Sequence, residues 1–104
     1  MESPALHLAQ EFNRRVSASL GEEVRVILFG SQARGDATDE SDVDVLVLLP
    51  DTGKQTLDIV LDLAWQVGFE AGRVISVVPA TQAELEELSA SPFFQAVRRE
   101  GILV

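Results

Sequence analysis

Between Gly30 and Val47 the chain reads GSQARGDATDESDVDVLV, with a Gly-Ser pair separated by ten residues from Asp42-Val43-Asp44. Side chains of a strand alternate between its two faces, so Asp42 and Asp44 share one face while Val43 and Val45 turn to the other, toward a core. Two carboxylates on one face suit a hard cation such as Mg²⁺, which takes oxygen ligands from one or two carboxylates together with substrate phosphates. Upstream, the apolar run VRVILF from Val24 to Phe29 reads as a buried strand that ends at Gly30. A glycine there lets backbone approach a ligand closely, and the N–H groups beyond it can hold an anion if a helical turn begins at Ser31. The implied chemistry is a phosphate cradle facing a metal clamp.

The rest of the chain supplies elements able to hold such a site. Ser3-Pro4 is an N-cap followed by a proline at the first helical position, and Ala5, Leu8, Ala9, Phe12, Val16 and Leu20 then fall on one helical face before Gly21. The strand Val24 to Phe29 follows, then a polar loop through Ser41, and a second strand from Val43 to Leu49 ended by Pro50. Leu57, Val60, Leu61, Ala64 and Gly68 keep helical spacing, which predicts a long helix from about Gln55 to Val67, with Trp65 packed against the core or an interface. After a turn at Glu70 to Arg73, Val74 to Val78 reads as a third strand closed by Pro79. Thr81 and Glu84 form a capping-box pattern, and Ser91-Pro92 opens a last helix, PFFQAVRRE, closed by Gly101, whose Phe93, Phe94 and Val97 read as core residues or a docking face, core being the safer reading. The fold class expected is α/β (α+β) in the order α-β-β-α-β-α-α, with helices flanking a small sheet. A strand, long helix, strand crossover from Val43 to Val78 makes that sheet mixed.

Size and charge narrow the function. A chain of 104 residues is expected to form a single domain over 1–104, enough for one core but too short to add a separate substrate-recognition domain. It has no cysteine, hence no disulfide framework or thiolate zinc site, and its single histidine, His7, reads as a surface residue of the first helix. No apolar run approaches the roughly eighteen residues of a membrane span, and the N-terminus lacks a basic region before an apolar one, so a cytoplasmic protein is expected. Seventeen acids against eight bases give a net charge of −9. That balance argues against nucleic acid as a direct partner and suits either a basic protein partner or simple solubility. Part of the negative charge, at Asp36, Asp39, Glu40, Asp42 and Asp44, gathers around the proposed metal site.

Taken together, Gly30-Ser31, Arg34-Gly35 and Asp42-Val43-Asp44 resemble the signature of the minimal nucleotidyltransferases of the DNA polymerase beta superfamily. The aromatic-rich last helix followed by Glu100-Gly101 and apolar residues is similar to the ending of short members of that family. The resemblance implies a polymerase-beta-like nucleotidyltransferase fold and an ATP or other triphosphate substrate with its phosphates near Gly30 and Ser31. It implies Asp42 and Asp44 as catalytic ligands of Mg²⁺, in a one-metal or two-metal site, with in-line attack by an acceptor hydroxyl and departure of pyrophosphate. Arg34 is a candidate phosphate contact or, equally, a loop anchor. The family usually adds a third carboxylate on a later strand, but VISVV contains no acid, and its only polar residue, Ser76, is the expected third ligand position. Glu70, just before that strand, is a poor substitute.

Two functions follow from the resemblance. The first is an antitoxin that acts as an enzyme, moving AMP or another NMP to a hydroxyl of a partner protein, a HEPN-type toxin, with which it can form a hetero-oligomer. The second is a catalytically weak or inactive antitoxin that neutralises the same partner by stoichiometric binding. Transfer to a small molecule such as an aminoglycoside is a weaker third reading, for want of a substrate domain.

Overall fold

The computed structural model describes residues 3–38 and 41–104 of the chain. Asp39 and Glu40, two of the acids expected around the metal site, lie outside the described residues. Helix α1 (Pro4–Leu20) starts where the sequence places its cap: the Ser3 side chain accepts a hydrogen bond from the Leu6 amide, and Pro4 stands in the first turn. Its buried residues Ala5, Ala9, Phe12 and Val16 recur at intervals of three and four, the stripe an amphipathic helix turns to a core. Phe12 is fully buried, and its truncation to alanine would cost about 3–5 kcal/mol.

Strand β1 (Arg25–Phe29) leads through a short helix α2 (Ser31–Arg34) to β2 (Val43–Leu48), and helix α3 (Lys54–Ala71) crosses over to β3 (Ile75–Ala80). Helices α4 (Gln82–Glu87) and α5 (Pro92–Glu100) and the two-residue strand β4 (Ile102–Leu103) complete the order. The sheet runs β3-β2-β1-β4, with β2 parallel to β3 and β1 antiparallel to both β2 and β4, so it is mixed as expected. The helical turn α2 and strand β4 are additions to the expected order. Helix α3 also runs past Val67 to Ala71, taking in part of the segment read as a turn.

Pro79 does not close β3, as the sequence suggested, but lies inside it opposite Val47. The Val43 amide donates to the Val74 carbonyl and the Leu49 amide to that of Ala80. In this parallel ladder, therefore, the even-numbered residues of β3 face β2, and the odd-numbered ones turn their backbone groups to the open edge. The N–H that proline lacks would have pointed outward, so no ladder bond is lost.

The central strand β2 divides the core by alternation. Val43, Val45 and Val47 pack with α1 and α3, while Leu46 and Leu48 pack on the opposite face with Ala80, Phe94 and Val97. Phe93, read as core, is instead 41% exposed and meets Phe29 edge-on with ring centroids 5.4 Å apart. Trp65 is likewise outside the core: it is 64% exposed, stacks on Phe69 at 5.0 Å and helps line a groove of about 590 Å³ with Leu61, Val74 and Ile75. Among the described residues no helix is long and apolar enough to cross a membrane.

Candidate active site

The first residues of β2 and β3 and the last of β1 lie side by side at one end of the sheet. Asp44 is the pairing partner of Phe29 in β1 and of Ser76 in β3. Residues directly opposite in a sheet share a face, so Ser76 lies on the face of Asp44, the one that β2 alternation also gives to Asp42. The Ser76 hydroxyl donates to Asp42 Oδ2 over 3.2 Å. The two aspartates and the serine therefore form one polar group on the α5 side of the sheet, above the apolar cluster of Leu46, Leu48 and Phe94.

Gly30 completes this group from the end of β1. Its φ of 74° lies in the left-handed region, and a Cβ built on it would come 2.5 Å from Asp44 Oδ2. Glycine is required twice over, for the backbone conformation and for the space that the carboxylate occupies. The same residue begins α2: the amides of Ala33 and Arg34 donate to the Gly30 carbonyl at 3.1 and 3.0 Å. The preceding amides of Ser31 and Gln32 have no acceptor within the helix.

The loop into Asp42 is held at Ser41. Its carbonyl accepts from Gln32 Nε2 at 3.3 Å and from Arg73 Nη2 at 3.1 Å, and its hydroxyl accepts from the Thr38 amide at 3.0 Å. Sequence reading assigned no role to Gln32, Ser41 or Arg73, because nothing local to any of them signals a contact spanning up to 32 positions. Arg34 is held by Asp36, 3.3 Å from its Nε, and by Glu100, 3.4 Å from its Nη1, an anchoring arrangement on the rim of the site. Glu70 is directed elsewhere: its carboxylate bridges to Arg15 of α1 at 2.7 Å.

Electrostatically the group is short of positive charge. Burial, and secondarily the negative charge of Asp42, push the Asp44 carboxyl above its ordinary range, with Arg34 pulling weakly the other way. A divalent cation between the two carboxylates would relieve both effects. Among the described residues no three His, Cys, Asp or Glu side chains converge on one point, and Asp42 and Asp44 would supply two carboxylate oxygen ligands beside those of a substrate. That donor set fits Mg²⁺, which binds phosphate-bearing substrates through one or two carboxylates.

A family model described as "Nucleotidyltransferase domain" matches residues 8–99 of the chain. A protein of Methanocaldococcus jannaschii named as a candidate protein adenylyltransferase is 35% identical over 77 residues, covering 74% of this chain and 73% of its own length. A second protein of that organism with the same kind of name is 30% identical over 90 residues, covering 83% of this chain and 61% of its own length. The crystal structure of a candidate nucleotidyltransferase from Sulfolobus solfataricus matches 99% of this chain and 87% of that one, with a TM-score of 0.61. At 19% identity that likeness is one of fold.

Proposed function

The chain belongs to the nucleotidyltransferase domain family, and from that premise we propose that it transfers AMP, or another NMP, from a nucleoside triphosphate to a hydroxyl of a partner protein. The observation that carries this reading is the juxtaposition of Asp42, Asp44 and Gly30, two carboxylates on one face against a glycine at the head of a helical turn. The Ser31 and Gln32 amides and the Ser31 hydroxyl would donate to the triphosphate, and Arg34 would add a cation at its rim. Asp42 and Asp44 would hold Mg²⁺, which when bound neutralises charge on the phosphates. The acceptor oxygen bonds to the α-phosphorus as the bond from that phosphorus to the α–β bridging oxygen breaks. Pyrophosphate leaves with the bond's electron pair, and the hydroxyl proton passes to solvent.

The relatives named as candidate protein adenylyltransferases support AMP as the group and protein as the acceptor. The partner we propose is a HEPN-type toxin, silenced by the modification in the cytoplasm, with this chain as its antitoxin. A net charge of −9 suits a basic partner. One observation favours a second reading, stoichiometric neutralisation: Ser76 stands beside both aspartates where an acid would serve as a third ligand.

The test is label transfer from ATP carrying a radioactive α-phosphate, with Mg²⁺, to proteins of the host lysate. Wild type is compared with Asp42→Asn/Asp44→Asn. A labelled band that disappears with the double variant establishes protein nucleotidylation. No label, with the same partner retained by both forms, leaves the binding antitoxin.

A further inference from the structure

Glu100 is the last residue of α5, yet its carboxylate lies 3.4 Å from Nη1 of Arg34, sixty-six positions earlier in the chain. We propose that Glu100 is a positioning residue, whose carboxylate, together with that of Asp36, holds the Arg34 guanidinium at the mouth of the nucleotide site ready for a phosphate. This deepens the nucleotidyltransferase reading and rests on it.

Glu100 is placed by packing. Phe94 and Val97 of α5 are buried against Leu46, Leu48 and Ala80. The Gly101 amide donates to the Val97 carbonyl at 2.7 Å, and a Cβ at Gly101 would meet that carbonyl and lie 2.5 Å from Ile27 Cγ2. The helix end is thus pressed onto β1, and β4 then pairs with the same strand. Arg34 sits at the end of the helical turn that begins at Gly30, and its charge acts on Asp44.

The division of donors decides between orienting and blocking. A guanidinium has five N–H groups in a fixed plane. Among the described residues Asp36 faces Nε and Glu100 faces Nη1, which leaves Nη2 for a phosphate oxygen without breaking either contact. The carboxylates fix a long side chain in advance, and an arginine ordered beforehand binds more tightly than one ordered by its ligand. Both partners are partly exposed, 44% for Arg34 and 30% for Glu100, so the pair adds little to stability. Its effect should fall on binding.

Calorimetry with Mg²⁺-ATP, on the full chain, tests this. Glu100→Ala is expected to weaken binding about 2- to 10-fold, with a melting temperature close to that of wild type. Arg34→Ala should weaken binding at least as much, and the double variant no further than Arg34→Ala alone. Glu100→Gln, which keeps an acceptor oxygen, should recover part of the loss. Wild-type affinity in Glu100→Ala overturns the proposal, as does tighter binding, which would make Glu100 a competitor of the phosphate. Failure of wild type itself to bind Mg²⁺-ATP overturns the ATP-dependent reading and this proposal together, an outcome distinct from a defect confined to the Glu100 variants.

Discussion

The Cα of Gly30 faces the Asp44 carboxylate so closely that a β-carbon there would lie 2.5 Å from Oδ2. The two residues end one strand and begin the next, and Phe29 next to Gly30 is the pairing partner of Asp44. Gly30→Ala therefore has to move the carboxylate or the backbone, and must also hold alanine at a φ of 74°. With its ψ of −154° this is a conformation almost confined to glycine, and holding alanine there costs about 1–3 kcal/mol. We expect that loss of stability in chemical denaturation, together with at least a tenfold drop in nucleotide transfer. An alanine variant as active as wild type would show that the carboxylate has room to move.

Asp44 makes the metal-free protein pH-dependent in a direction that can be worked out. Its folded-state pKa is raised, by burial first and by Asp42 second. Below the ordinary aspartate value of about 4 the carboxyl is protonated in both folded and unfolded chains and imposes no penalty. As pH rises through the raised folded value, ionisation becomes harder in the folded state and stability falls. Asp44→Asn should accordingly melt higher than wild type at neutral pH in the presence of a chelator, with the difference shrinking toward pH 3.5. Equal destabilisation by asparagine at both pH values would contradict this account.

Ser76→Asp would place a third carboxylate beside the first two, since position 76 is opposite Asp44 and its hydroxyl already reaches Asp42. A positioned general base contributes about 10²- to 10⁴-fold to a reaction. An increase toward the lower end of that range is expected in initial-rate label transfer with Mg²⁺, accompanied by lower stability without the metal, as three acids crowd one another. A variant no faster than wild type would mean that position 76 is not where the missing acid belongs.

Glu70 provides the control. Its carboxylate is bound to Arg15 across the α1–α3 contact, away from the aspartates. Glu70→Gln should leave transfer within about twofold of wild type and cost at most about 1 kcal/mol, the usual worth of an exposed ion pair. A large loss of transfer at normal stability would place it in the site after all.

What the sequence made legible was local. The Ser3 cap, the reciprocal Thr81–Glu84 capping box and the Ser91-Pro92 start of α5 each involve residues three or four positions apart, and the structure has all three. The shared face of Asp42 and Asp44 follows from alternation alone. Illegible were relationships set by the sheet order. Pro79 reads as a terminator unless β3 is known to be an edge strand, and β4 is two residues whose only reason to be extended is the strand they pair with. The bonds from Arg34 to Glu100 and from Arg15 to Glu70 span 66 and 55 positions, beyond the reach of any periodicity. Trp65 reads as packed against core or interface for a related reason: helical spacing gives it a face of α3, but whether a neighbour covers that face depends on the tertiary arrangement, which leaves it out of the core.

The outward-facing edge of β3 sets a limit on assembly. Only Ile75 and Val77 there present both backbone groups, because Pro79 supplies a carbonyl without a donor. At the far edge, β4 is itself just two residues long. An incoming chain could register against either side for no more than a step or two before its hydrogen bonds ran out, so templated stacking of one sheet upon another, the route to fibrils, has little to grip. Both edges of the sheet are thus poor templates for a further strand.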